Sequence, residues 1–254
     1  LSHAALPATV MGHIAMWHPS VYGAEDGYGH ELATPLADMG FSQWWFHGKL
    51  SSKPSEVLEL PAGGSVTVEL ACNRKFTSMG NTNDGSNNPC PVDTPSMHAG
   101  TPLEQKQLRG CALAIAYKSD ASSVDKDEFT VFSVNTDCVK DRRTTFQVPK
   151  DMPSCSGGKC ICAWFWQGQN SADEMYMNGF DCNITSGSSS TKLATPKHTK
   201  FCRGDASSCV KGAKIPQYWA NDINPIGFDG SYERKPAYNS DWGFTDGAQN
   251  DIFV

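Results

Sequence analysis

The chain has no apolar run of 18 residues, so nothing in it is built to span a membrane. It has no cluster of Lys or Arg. With 21 basic against 27 acidic residues its formal net charge is −6, which argues against nucleic acid as a partner. It has no paired C-x-x-C units, which removes the common zinc frameworks. No segment sustains an apolar period of 3.6 residues, so long amphipathic helices are not expected. The first twelve residues, LSHAALPATVMG, contain no Lys, Arg, Asp or Glu at all.

What is present is cysteine. There are ten, an even and high count for 254 residues: Cys72, Cys90, Cys111, Cys138, Cys155, Cys160, Cys162, Cys182, Cys202 and Cys209. Without zinc spacing they read as a disulfide framework, which needs an oxidising compartment and so a secreted, extracellular protein. The sequon Asn183-Ile184-Thr185, an N-glycosylation acceptor at Asn183, agrees. Ten cysteines allow about 945 pairings, and spacing alone does not choose among them. The front segment ends Val10-Met11-Gly12, with Val10 and Gly12 at the −3 and −1 positions where a signal peptidase accepts small residues. Residues 1–12 are therefore expected to be the tail of a signal peptide rather than an ordinary N-terminal arm, and cleavage after Gly12 would leave His13 first.

Length and strand pattern predict a single all-β domain over residues 13–254, a disulfide-rich β-sandwich with long loops. SVTVEL (65–70) alternates after the turn signal Gly63-Gly64, and CALAIAY (111–117), FTVFSV (129–134) and TTFQVP (144–149) are β-rich. CICAWFWQG (160–168) is apolar on both faces, and EMYMNGFDCNIT (174–185) follows after the loop QNSAD. Two long loops stand apart, residues 73–100 and 186–254. The second holds Trp219 and Trp242 and is expected to wrap the sandwich.

His13, His98 and Tyr176 form the constellation with chemistry in it. A mature N-terminal histidine offers two nitrogens, its α-amine and its ring, and a second imidazole makes a T-shaped set of three. Such nitrogen sets hold Cu(II) most tightly among first-row divalent ions. A phenol nearby can take an axial position. Each residue also has a plainer reading: His98 as a surface loop histidine, Tyr176 as core. Glu174, two residues before Tyr176 on the same strand face, is either a hydrogen-bonding group behind the site or an exposed charge. Trp164, Phe165 and Trp166 are either core or a path for an oxidising hole. His18, His30, His47 and His198 read as surface or satisfied residues.

HIAMWHPSVYG, QWWFHGKL, LELPAGGSVTVELAC, GCALAIAY, FTVFSVN, VPKDMPSCSGGKCICAWFW, EMYMNGFDC and GAQNDIF resemble, in order, the fungal lytic polysaccharide monooxygenases of auxiliary activity family 14. The resemblance runs from His13 to the last residues. It implies an immunoglobulin-like or fibronectin-III-like antiparallel sandwich and one copper per chain. His13 would ligate by amine and imidazole, His98 by imidazole, and Tyr176 as the axial phenol. It also implies the bridges Cys72–Cys90, Cys111–Cys138, Cys155–Cys160, Cys162–Cys182 and Cys202–Cys209. Glu174 stands where other fungal monooxygenase families have the Gln of a Q-x-Y pattern. The implied activity is oxidative cleavage of plant cell-wall polysaccharide, xylan associated with cellulose first, fed by an external electron donor in a monomeric protein. The rival expectation is a secreted copper-handling or signalling protein that cuts no polysaccharide.

Overall fold

The computed structural model describes residues 13–82, 85–92, 97–100 and 102–254. The expected signal-peptide segment, residues 1–12, lies outside the described residues. Among the described residues nine strands appear: β1 (Ala15–Trp17), β2 (Leu58–Pro61), β3 (Ser65–Ala71), β4 (Cys111–Ala116), β5 (Thr130–Asn135), β6 (Arg143–Gln147), β7 (Cys160–Trp166), β8 (Tyr176–Thr185) and β9 (Gly247–Ala248). They form a three-stranded sheet, β1-β3-β6, and a six-stranded sheet, β2-β8-β7-β4-β5-β9. Among the described residues no helix is long and apolar enough to cross a membrane.

The alternation read from β3 is that of a strand with one wet face. Val66, Val68 and Leu70 point into the space between the sheets, while Thr67 on the outer face meets the Thr145 hydroxyl at 2.8 Å. The inter-sheet core is completed by Leu113, Ile115, Phe132, Trp164 and Phe180. One pair departs from the antiparallel sandwich expected: β2 runs parallel to β8. The Gly63-Gly64 turn joins β2 to β3, which lie in different sheets, so no hairpin fixes the direction of β2 against β8.

The apolar-on-both-faces reading of β7 has its reason in a third layer. On the outer face of the large sheet the central strands present Ala112, Ala114, Ala116, Ala163 and Gly179. These short side chains leave room for bulky rings. The rings come from the short helix α1 (Phe41–Trp44), the turn after it, Phe129 just before β5, and residues 213–244, with Trp45, Phe46, Phe129, Tyr218, Trp219 and Trp242 all buried. Trp44 Nε1 and the Phe41 amide both donate to the Asp222 carboxylate at 2.8 Å, fastening the two covering segments together. The long C-terminal loop thus wraps the sandwich, as expected.

Gly179 sits where the Phe46 ring meets the sheet, and a Cβ there would lie inside van der Waals contact with that ring. Phe46 and His47 both hold left-handed backbone, φ 52°, so the turn cannot easily swing the ring away. Gly179→Ala should cost roughly 1–3 kcal/mol or more in chemical denaturation. A change below half a kcal/mol would show that the cover yields.

His47 was expected to be surface or satisfied and is only half satisfied. The cover shuts its Nε2 from solvent without a hydrogen-bond partner. Burial drives its pKa down to about 4, partly offset by a hydrogen bond to the Met177 backbone. The unfolded chain therefore takes up this proton first. Stability is full above about pH 6.5 and falls as the pH drops through the folded value near 4, by up to about 3 kcal/mol. His47→Asn should flatten that part of the curve in denaturant melts at pH 7 and pH 4; an unchanged slope would contradict the assignment. His198 likewise has a buried Nδ1 without a partner. His30 is exposed, and His18 bonds Ser20 Oγ at 2.8 Å.

The cysteines close as Cys72–Cys90, Cys111–Cys138, Cys155–Cys160, Cys162–Cys182 and Cys202–Cys209, the pairs that the resemblance implies. No cysteine is free.

Candidate metal centre

His13 stands two residues before β1, and that short strand fixes it. Its three residues pair with β3 from Ala15 opposite Ala71, and Trp17 Nε1 donates to the Ala71 carbonyl at 2.8 Å. Across the core, the Met16 amide donates to Asn178 Oδ1 at 3.0 Å, which ties β1 to β8. Asn178 is buried and spends its amide on the Leu32 carbonyl at 3.1 Å. Unlike a surface arm, the segment after His13 is therefore bonded to both sheets.

Tyr176 opens β8 directly opposite Trp166, the last residue of β7, and their rings lie 4.4 Å apart. Residues 167–175 close the hairpin between them. The His98 ring also stacks on Trp166, at 5.7 Å and 30°. His98 has left-handed backbone, φ 51°. Gly168 permits that approach, since a Cβ there would stand 2.9 Å from His98 Cδ2. The loop also holds His98 by its main chain: the Asn170 amide donates to the His98 carbonyl at 3.0 Å, and His98 Nδ1 meets the Asn170 carbonyl at 3.2 Å. A carbonyl only accepts, so Nδ1 carries a proton; in the neutral ring that leaves the lone pair on Nε2, and in the charged ring Nε2 also donates.

The three rings meet at one end of the sandwich in a nearly equilateral triangle: His13–His98 6.4 Å, His13–Tyr176 6.2 Å and His98–Tyr176 6.5 Å between centroids. His98 Nε2 faces Tyr176 Oη at 3.4 Å and Glu174 Oε1 at 3.3 Å. Tyr176 Oη donates to Glu174 Oε1 at 2.8 Å, so Glu174 is the buried hydrogen-bonding group rather than an exposed charge. Burial disfavours charge throughout. It holds His13 below the usual imidazole range, with Glu174 opposing and His98 adding to the effect. Burial would raise the Glu174 carboxyl, but hydrogen bonds from His98 and Tyr176 keep it below the ordinary value. Burial, then the Glu174 charge, pushes the Tyr176 phenol far up, so it remains protonated at neutral pH. Trp164 and Trp166 pack in the inter-sheet core and Phe165 on the opposite face.

The residues fit a metal held by nitrogen. His13 Nδ1 is buried with no hydrogen-bond partner, an orphaned donor atom inside the site. An imidazole nitrogen lies about 1.2 Å from its ring centroid and bonds an ion such as zinc at about 2.0–2.1 Å, so imidazoles on opposite sides of one ion stand about 6.4 Å apart. The His13–His98 separation is 6.4 Å. Among the described residues no group of three or more His, Cys, Asp or Glu could hold a metal ion. Two imidazoles need a further strong donor, and the α-amine of a chain that begins at His13 would supply it.

Sequence reasoning missed Asn170, whose part is played by its main chain, and Gly168. No side-chain pattern announces a backbone carbonyl that orients a ligand.

The chain is similar to known proteins along nearly its whole length. The family description "Lytic polysaccharide monooxygenase AA14" matches residues 2–254. A curated relative from Pycnoporus cinnabarinus, "AA14 family lytic polysaccharide monooxygenase B", is 42% identical over 272 residues, covering 98% of this chain and 72% of the relative. The protein of that name from Trametes coccinea (strain BRFM310) is 42% identical over 274 residues, covering 99% of this chain and 65% of its own length. Among solved structures, a cellulose-active polysaccharide monooxygenase from M. thermophila aligns over 90% of this chain and 86% of its own, with 11% identity and a TM-score of 0.45.

Proposed function

Because this chain belongs to the AA14 family of lytic polysaccharide monooxygenases, we propose that it is a secreted, monomeric enzyme that takes one copper per chain and cleaves plant cell-wall polysaccharide by oxidation. Xylan associated with cellulose is the first substrate to test, with an external electron donor. The observation that carries the reading is the triangle of His13, His98 and Tyr176, one of whose members, His13, has a buried Nδ1 without a hydrogen-bond partner. The names of the relatives favour cleavage over the copper-handling alternative.

Bound copper would supply one-electron activation of dioxygen or peroxide. The chain's own residues do the rest. His13 and His98 would hold the ion, and the Asn170 carbonyl keeps a proton on His98 Nδ1. Tyr176 stays a neutral phenol because Glu174 accepts its proton's hydrogen bond in a buried setting. A neutral phenol would be at most a weak donor to the ion. Glu174 Oε1, which takes the Tyr176 hydroxyl hydrogen bond, is an ionised acceptor beside the centre. A glycan at Asn183 would sit on β8 at the end opposite Tyr176, where the side chain now bonds Glu59 at 2.9 Å.

The form beginning at His13, loaded with copper, should release oxidised oligosaccharides from xylan-coated cellulose only when reductant is present. Pure xylan and pure cellulose run alongside distinguish the substrate. No oxidised product from any wall polysaccharide would overturn the reading.

A further inference from the structure

We propose that Lys235, with the turn that carries it, is a positioning residue for His98, acting through residues 167–175. The inference rests on the reading of His98 as a metal ligand.

Lys235 is 2% exposed, an unusual place for an ammonium group. Its three protons find three acceptors: the Ser171 carbonyl at 2.8 Å, Ser171 Oγ at 2.9 Å and the Ala172 carbonyl at 3.0 Å. All three lie on the hairpin loop between Trp166 and Tyr176. A buried cation is tolerated only when so paired, and its bonds are stronger than neutral ones. The lysine itself is held from behind. Trp242 Nε1 donates to its carbonyl at 3.2 Å, and the ammonium lies 5.8 Å from the Trp219 ring centroid.

The same turn grips the loop a second time. Tyr232 Oη donates to Asn170 Oδ1 at 2.9 Å, and Arg109 fixes the turn by donating to the Tyr232 carbonyl at 3.2 Å. Asn170, adjoining Ser171, is the residue whose carbonyl faces His98 Nδ1 and whose amide holds the His98 carbonyl. Thus the covering layer, through Lys235 and Tyr232, sets the loop; the loop sets the His98 ring. A ligand with left-handed backbone and no regular secondary structure of its own depends on such outside support.

Lys235→Met keeps the apolar stem and removes the three donors. In the form that begins at His13, copper affinity should fall roughly tenfold, the usual scale for losing support behind a ligand. In the metal-free protein the His98 Nδ1–H signal should exchange faster with solvent by nuclear magnetic resonance. Tyr232→Phe removes one hydroxyl from an exposed ring and should shift both readouts in the same direction by less. Lys214→Met is the control. Lys214 is also buried, yet its ammonium bonds the Gly212 carbonyl at 2.8 Å rather than the hairpin loop. Its loss should lower the melting temperature without changing His98.

Unchanged copper affinity and His98 exchange in Lys235→Met overturn the proposal, as does an equal His98 change in Lys214→Met. Should Lys235→Met not fold, unchanged His98 exchange in Tyr232→Phe overturns it. Should His98→Ala bind copper like the parent, the reading beneath is wrong and the two failures are told apart.

Discussion

A protein that begins at His13 should bind Cu(II) orders of magnitude more tightly than one that keeps residues 1–12. With the upstream segment attached, the nitrogen of His13 belongs to a peptide bond. An amide nitrogen ligates only after losing its proton, which is costly near neutral pH. A free α-amine has an ordinary pKa of about 7.7–8.0 and gives up its proton readily to a metal. Cleavage thus changes the donor set from two imidazoles to two imidazoles and an amine. His13 Nδ1 is already buried and unpartnered, so little reorganisation of that ring is needed. Both forms can be prepared side by side. Competition titration gives the affinities, and electron paramagnetic resonance counts the nitrogens. Equal affinity in both would show that the amine is not a ligand.

His98→Ala in the form starting at His13 should weaken copper binding by about a thousandfold, near 4 kcal/mol. It removes one of three nitrogens and leaves Glu174 Oε1 and Tyr176 Oη facing a gap where Nε2 stood. The loss of the ring also uncovers one side of Trp166, so stability should fall as well. Tyr176→Phe separates the two effects. It keeps the ring contact with Trp166 and removes only the hydroxyl, so copper affinity should stay near that of the parent while the spectrum or turnover shifts. Parent-like copper affinity in His98→Ala would remove the proposed centre.

Much of this molecule was legible in its residues. β3 and β6 bury one face, so their alternation was plain. β4, β7 and β8 are covered on both sides and read as apolar or β-rich runs, yet only the structure shows what covers them. β1 was missed because three residues carry too little pattern, and the parallel β2–β8 pair because strand direction follows from long-range pairing. The bridges and the ligand set came from resemblance; spacing left them open. His47 was misjudged because a lone histidine between an aromatic run and a glycine carries no sign of what will lie over it. Lys235 looked like an ordinary lysine in a loop. Its meaning depends on three acceptors more than sixty positions earlier in the chain.

β8 joins two ends of the molecule that should not be confused in handling it. The strand begins at Tyr176 in the metal centre and ends at Thr185, ten residues that extend about 30 Å. Its far end carries the sequon at Asn183. A bead, dye or surface coupled through a sugar at that asparagine would hang the protein with His13 and His98 facing away from the support. Attachment there presents the reacting end to an insoluble polymer, whereas random coupling through surface lysines would bury a share of the molecules face down.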